Sequence, residues 1–399
     1  MPVNSDVVIA GAARTPIGKF LGGLSQVPAP QLGAIALRAA IERAGLRPDD
    51  LDGVIMGNVI AAGVGMAPAR QVALGAGCSP ATGALTINKA CGSGLMAVIL
   101  AAQAIQLGDA AIVGAGGMES MSLAPYLLPK ARTGFRYGNV ELQDAMLRDG
   151  LWCAWENHHM GSAAEAIAAK HGISRAEQDA FALRSHQRAV AAIQACAFAQ
   201  EIAPVETIDA RGRPATITTD ECPRADTSAE ALARLQPVFK ADGTVTAGNS
   251  SQLADGAAAV VVVAAEEARR RGLMPLARVT GYATAGVAPL WLFDAPVEAI
   301  RKLLRRTGTT LRDYDLIELN EAFAAQVLAD GKQLEPEGWD WERVNVRGGA
   351  IALGHPIGCS GARVLVTLLY ALRQTGGKRG LACLCLGGGE AVAMAVEAL

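Results

Sequence analysis

Neither sign of charge dominates this sequence. It has 36 Lys and Arg against 38 Asp and Glu, a formal net charge of −2. That removes the electrostatic case for binding nucleic acid or an anionic membrane surface. No CxxC pair occurs among the eight cysteines, Cys78, Cys91, Cys153, Cys196, Cys222, Cys359, Cys383 and Cys385. A zinc ribbon or thioredoxin-type redox motif is therefore not expected. No basic and apolar leader stands before VVIAGA, which follows Asp6 at once; a cytoplasmic protein with reduced thiols is expected. The C-terminal VEAL is not a peroxisomal tripeptide. Apolar runs are expected to break before the roughly 18 residues of a membrane span. What is plentiful is core material: 399 residues, 51% hydrophobic and 19% charged, enough for two or three domains.

One stretch organises the rest. Residues 85–108 read LTINKACGSGLMAVILAAQAIQLG. A short apolar run meets Cys91, then Gly92, Ser93 and Gly94, then an apolar helix predicted over Leu95 to Leu107 and closed by Gly108. Cys91 then sits at a strand-to-helix turn, near free N–H groups and the positive end of the helix dipole. That setting favours a thiolate, the nucleophilic form. A lone cysteine in such a lead-in is more often a buried, inert thiol, so the reading needs support from elsewhere.

The chain alternates strands and helices. Val7 to Gly11 reads as a buried strand, Gln31 to Ala44 as a helix, Gly53 to Met56 as a strand, and Ala110 to Val113 as a strand running into GAGGMES. A mostly parallel sheet covered on both faces follows. The plan then repeats. LARVTGY (Leu276 to Tyr282) matches DVVIAGA, with Gly281 opposite Gly11, and DLIELN (Asp315 to Asn320) matches GVIMGN. GCSGARVLVTLLYAL (Gly358 to Leu372) matches CGSGLMAVILAAQAI, and CLCLGGGE (Cys383 to Glu390) matches IVGAGGME. Four matches in order, about 270 residues apart, indicate two copies of one unit packed around shared helices. A more polar segment from about Ser120 to Thr246 breaks the repeat and reads as a substrate-covering lid. The division expected is 1–119, 120–249 and 250–399. In a doubled α/β fold the loops at equivalent strand ends converge, which brings Cys91, Asn320, His355 and Cys385 toward one place.

These motifs resemble the thiolase family, the acyl-CoA acyltransferases that make or split β-ketoacyl-CoA. The resemblance spans almost the entire chain: RTPIGKF, NKACGSG, GGMESMS, HHMG, TVTAGNSSQLADGAA, NEAFA, GGAIALGHPIG and CLCLGGGE. Glycine-rich strings are individually weak signals; their order is specific. The resemblance implies a duplicated α-β-α-β-α layered fold with an inserted loop domain. It implies acetyl-CoA, acetoacetyl-CoA or another 3-ketoacyl-CoA, and CoA as substrates, with no metal or redox cofactor.

The same resemblance gives roles that suit the chemistry. Cys91 resembles the nucleophile that carries the acyl group. A free thiol has a pKa of about 8.5, so His355 in the GHPIG loop resembles the group that takes its proton. Cys385 resembles the acid/base that removes the weakly acidic α-proton. Cys383 would point the same way by the period of two, but Cys385 directly precedes LGGG. The N–H groups of Cys91 and Gly387 look like the oxyanion hole, and Asn320, through a water, with His355, like the enolate's hole. Leu151, His159, Met160, Arg224, Phe239, Ala247, Ser251, Ala322 and Phe323 look like the CoA groove.

Some positions depart from the family pattern. Arg347 stands where asparagine is usual before the histidine loop, either near enough to disturb that loop or out on the surface. Ser250-Ser251-Gln252 follows AGN, closer to degradative members, whereas LPKARTGFRYGN with HHMG resembles tetrameric short-chain enzymes. Condensation of two acetyl-CoA to acetoacetyl-CoA, and the reverse thiolysis, is the favoured activity; a longer-chain degradative thiolase is the alternative. A carrier-protein ketosynthase would want a second histidine where Asn320 stands, and a non-catalytic CoA-binding protein would have no use for Cys91. The apolar segment Ala84 to Lys89 could pair across a two-fold axis, so a homo-oligomer is expected, a tetramer as a dimer of dimers.

Overall fold

The computed structural model describes residues 6–208 and 212–399. Its spine is a ten-stranded sheet. Nine strands carry it: β1 (Val7–Arg14), β2 (Gly53–Gly57), β3 (Gly83–Ile87), β4 (Ile112–Ser120), β5 (Ala254–Ala264), β6 (Ala277–Gly286), β7 (Leu316–Leu319), β8 (Arg379–Leu386) and β9 (Glu390–Ala398). Their order is β7-β8-β9-β6-β1-β5-β4-β2-β3, and a two-residue strand, Gly18–Lys19, pairs with β5.

The halves of that order share one pairing scheme. β1 is antiparallel to β5, β5 antiparallel to β4, and β4 parallel to β2. Likewise β6 is antiparallel to β9, β9 antiparallel to β8, and β8 parallel to β7. Two residue pairs, Val8–Arg278 and Ile9–Ala277, join the halves. Gly11 and Gly281, matched in the sequence, each follow a register shift in their strand. The sheet is mixed, which corrects the expectation of a mostly parallel one. Parallel pairing survives where a helix crosses over. Where the turn Gly387 to Gly389 sends β8 straight back as β9, the pairing must be antiparallel. β5 lies C-terminal to residue 250, yet its partners are β1 and β4, so by pairing it completes the first half.

Helices form three layers around the two half-sheets. Helix α1 (Ala29–Arg43) starts at Ala29-Pro30, where proline's missing N–H costs nothing. It buries Leu32, Ala36, Leu37, Ala40 and Ile41 against the first half. Helix α3 (Ala295–Thr307) covers the outer face of β6 and β9 with Ile300, Leu303 and Leu304. Between the halves lie α2 (Ser93–Leu107) and α4 (Ile357–Thr375), packed on each other. This is the layered, duplicated arrangement expected. α2 ends at Gly108, left-handed at φ 82°. Each fully buried Leu, Ile or Val on it, such as Leu95, Val98 and Ile99, contributes about 1.5–3 kcal/mol. Residues 90–107 are long and apolar enough to match a membrane span, which corrects the expectation of shorter runs. A helix packed between the two half-sheets needs apolar surface on more than one side, and that accounts for its composition.

α2 and α4 approach backbone to backbone. A Cβ on Gly94 would stand 2.5 Å from the Ala362 nitrogen, and one on Gly361 would meet the Leu95 nitrogen. These are the matched glycines of the two copies. Their contact fixes the distance between the N-termini of the two helices, next to which Cys91 and His355 stand.

The segment after β4 carries short ladders and, among its helices, Met160–His171 and Arg175–Gln194, the latter opened by a Ser174–Glu177 capping box. Buried charges fasten it to the sheets. Arg14 on β1 reaches Glu201 at 2.5 Å and Asp220 at 2.6 Å, all of them buried. Arg347 joins this cluster 3.8 Å from Glu201, with Gln374 and the Ala197 and Tyr370 carbonyls as further partners. It is 6% exposed and bonded away from the histidine loop, so neither reading of this departure holds.

Candidate active site

Cys91 stands two residues before α2. Its loop is wound by Ser93, whose Oγ accepts from the Lys89 N–H at 2.8 Å and donates to the Ala90 carbonyl at 2.7 Å. Ala90 is held at φ 44°, a left-handed conformation that an alanine adopts only when its surroundings impose it. The N–H groups of Gly387 and of Cys91 itself point at the sulfur and lower its pKa. Burial nevertheless dominates and pushes the thiol up to about 11, with the Glu119 carboxylate adding to the rise. Burial thus acts against the resting thiolate expected at the helix N-terminus and outweighs the two N–H groups.

A thiol needs a base, and His355 has the geometry of one. Its N–H donates to the Gln252 carbonyl at 2.8 Å. Its Nδ1 lies 2.6 Å from Ser360 Oγ, and that hydroxyl gives its single proton to the Pro356 carbonyl at 3.0 Å. Nδ1 must then carry the hydrogen, which leaves Nε2 as a free acceptor. Nε2 has no hydrogen-bond partner among the described residues. Burial, and secondarily the Arg363 guanidinium, lowers the imidazole pKa to about 3, so it is neutral and basic in form. Gln252 steadies this loop, donating from Nε2 to the carbonyls of Cys222, Ile351 and Ala352 at 3.0–3.2 Å.

Cys385 and Gly387 stand at the end of β8, where the chain turns through Gly388 (φ 93°) and Gly389 (φ 89°) into β9. Cys91, His355, Cys385 and Gly387 all line one cavity of about 590 Å³. Burial raises the Cys385 thiol well above its ordinary value, and the neighbouring Cys91 adds to this. Cys383 is also fully buried, but it belongs to the core and its sulfur faces the Pro296 carbonyl at 3.9 Å. Asn320 is completely buried and stands outside the residues that line the cavity. Its backbone N–H donates to the Cys383 carbonyl, and neither side-chain amide atom has a partner among the described residues.

The rest of the cavity is a groove. Leu151, His159, Met160, Arg224, Phe239, Ala247, Ser251, Ala322 and Phe323 all line it. His159 stacks on Phe239 at 4.7 Å, Phe239 meets Phe323 edge-on at 6.3 Å, and Phe323 meets Phe293 at 5.5 Å. The Ser251 N–H donates to the Ala322 carbonyl at 3.0 Å, binding two wall segments together. The walls are largely apolar, with Lys19 and Arg224 as cations. That suits a long thioester with an apolar arm and an anionic end. Among the described residues no group of three or more His, Cys, Asp or Glu could hold a metal.

Sequence reasoning missed several lining residues, among them Met121, Gly150, Gln252 as a wall residue, Leu292, Phe293 and Ile357. Ile357 carried a signal, since it lies two residues after His355 in GHPIG. Phe293 and Leu292 carried none, because they reach the groove from a turn before α3 that has no motif.

The family model for the thiolase N-terminal domain matches residues 7–266, and that for the thiolase C-terminal domain matches residues 273–398. An acetyl-CoA acetyltransferase of Pseudomonas aeruginosa is 53% identical over 389 residues, covering 98% of each chain. One of Escherichia coli is 52% identical over 393 residues, covering 98% of this chain and 99% of the other. Among solved structures, the Bacillus anthracis acetyl-CoA acetyltransferase superposes with a TM-score of 0.97 at 43% identity, over 100% of both chains.

Proposed function

The chain belongs to the thiolase family, and from that we propose that it is an acetyl-CoA acetyltransferase, condensing two acetyl-CoA to acetoacetyl-CoA and CoA and running the reverse thiolysis. The observation that carries this reading is the shared cavity of Cys91, His355, Cys385 and Gly387. Its relatives at about half identity carry the same activity in their names.

In the first half-reaction His355 Nε2 takes the Cys91 proton as the sulfur attacks the thioester carbonyl. The N–H groups of Cys91 and Gly387 receive the negative oxygen. Collapse leaves an acetyl group on Cys91, and the departing CoA thiolate takes the Cys385 proton. In the second, the Cys385 thiolate removes the α-proton of a new acetyl-CoA, so its own proton is replaced. The protonated His355, with Asn320 acting through a water, holds the enolate oxygen. The carbanion attacks acetyl-Cys91, and the expelled sulfur recovers its proton from His355. CoA enters as a substrate, and its apolar arm lies along the aromatic wall. Acetoacetyl-CoA, the C4 thioester, is the preferred ketoacyl substrate. Incubation with acetyl-CoA followed by peptide mass spectrometry tests the reading: the acetyl group belongs on Cys91, and label elsewhere would refute it. The kcat/KM ratio for C4 against C8 or C10 ketoacyl-CoA tests the chain length.

The active form is a homo-oligomer, a tetramer built from dimers. β3 is an edge strand with Leu85 52% exposed, which supports pairing with a second copy. Exposed Tyr126, Leu128, Phe135, Tyr137 and Leu142, on the segment after β4, support a second contact. A monomer at micromolar concentration in light scattering would overturn this.

A further inference from the structure

Glu119, in GGMES, is the next-to-last residue of β4, completely buried and with no role in the reaction steps given above. Four donors converge on its carboxylate. Oε1 accepts from Asn58 Nδ2 at 2.7 Å and from the Ile60 N–H at 3.1 Å; Oε2 accepts from the Val59 N–H at 3.1 Å and the Gly358 N–H at 2.9 Å. Asn58, Val59 and Ile60 leave the end of β2. Gly358 is the second residue of α4, three residues after His355. Val59, Ile60 and Ile357 pack together, and Cys91 packs against that group. One side chain thus ties the loop behind Cys91 to the helix start behind His355.

The duplication sharpens this. Gly358 is the residue matched to Cys91 in the repeat, so the N–H that Glu119 holds corresponds to one of the two N–H groups aimed at the Cys91 sulfur. Glu119 itself is matched to Glu390, which grips Lys89 Nζ, two residues before Cys91, at 2.7 and 2.8 Å. Each copy carries, at the matched position, a carboxylate that anchors the helix lead-in of the other copy.

We propose that Glu119 is a positioning residue: through Gly358 it sets where His355 stands relative to Cys91. A carboxylate fits this cage because all its lone pairs accept, whereas an amide would turn two hydrogens toward the donors. Burial lifts the Glu119 carboxyl to about 7, and above that pH its charge bears on the nucleophile by raising the Cys91 pKa.

This inference rests on the roles given above to Cys91 and His355, and its test separates the two. Wild-type enzyme must first show acetyl-Cys91; if it does not, the proposed function fails, whatever Glu119 does. Given that label, Glu119→Gln should lower kcat for acetoacetyl-CoA thiolysis by about tenfold or more, since misplacement by a fraction of an ångström acts on the chemical step. KM should stay within about twofold, because the groove is untouched. The pH profile of Cys91 alkylation by iodoacetamide should move to lower pH, because a like charge has gone. Glu119→Asp, which keeps the carboxylate, should recover part of the kcat. Wild-type kcat in Glu119→Gln would overturn the proposal. So would a loss of kcat that follows a loss of thermal stability with the alkylation profile unmoved, which is what a merely structural role predicts. If Glu119→Gln does not fold, Asn58→Ala, which removes one donor and keeps the charge, is read in its place: reduced kcat with unchanged KM supports the proposal, and wild-type kcat overturns it.

Discussion

Replacing Gly94 by alanine adds one methyl group where α2 and α4 touch. The new Cβ would stand 2.5 Å from the Ala362 nitrogen and 3.1 Å from both the Ala362 Cβ and the Cys359 carbonyl. Backbone cannot rotate away as a side chain can, so the helices must separate until the contact nears 3.4 Å. That is a shift of nearly 1 Å. Overpacking of this kind costs about 1–3 kcal/mol, and alanine returns about 1 kcal/mol of helix propensity over glycine. The net loss is therefore about 0–2 kcal/mol, small enough for the protein to stay folded. Activity should suffer more. Cys91 is carried by one helix lead-in and His355 by the other, so the shift enters the distance between them directly. A 1 Å misplacement costs about 100-fold in rate, or about 2.7 kcal/mol in the barrier. Urea unfolding and steady-state thiolysis of acetoacetyl-CoA measure the two effects on one preparation. Gly361→Ala, the matched position, should behave alike. Gly45→Ala is the control: its φ is +72° and nothing lies within 4 Å of its Cβ, so it should lose about 1 kcal/mol and keep its kcat. A folded Gly94→Ala enzyme with wild-type kcat would refute the reasoning.

Other outcomes follow from the same site. Because burial holds the Cys91 thiol up to about 11, its alkylation rate should keep climbing through pH 9; a plateau below pH 7 would mean a resting thiolate–imidazolium pair instead. His355 has its pKa lowered from 6.5 to about 3, so the unfolded chain binds its proton first. Its contribution to stability is complete above pH 6.5 and fades toward pH 3. Denaturation midpoints followed over that range should fall less steeply in His355→Gln. Cys385→Ala should still form acetyl-Cys91 but lose about 10²–10⁴-fold in condensation, the usual worth of a positioned acid/base; condensation at the wild-type rate would remove Cys385 from the mechanism. Arg347→Ala leaves Glu201 without one of its buried cations. It should cost about 3 kcal/mol in urea unfolding, with kcat changed less than threefold.

The sequence by itself determined the duplication, the apolar central helices with their glycine stops, and four residues that meet in the cavity. Repeats, periodicity and Gly-rich strand ends are local patterns, and each survives in one dimension. Cys91, His355, Cys385 and Gly387 could be named because each sits in a short motif at a strand or helix end. The tertiary structure alone decided what those groups feel. Whether the Cys91 thiol is charged depends on how much water the folded pocket excludes, and burial there raises its pKa against the N–H groups that lower it. Asn320 shows the same limit: its motif gave its neighbourhood, but only packing left it behind the cavity wall. The sheet's mixed sense was hidden for a similar reason, since strand direction depends on whether a link is a tight turn or a crossover. Arg347 looked like an intruder in the sequence because its partners, Glu201 and Gln374, lie far away along the chain and meet it only once the insertion folds back. Local pattern fixes which chemistry is available; the dielectric, the distances and the long-range partners that tune it exist only in the folded chain.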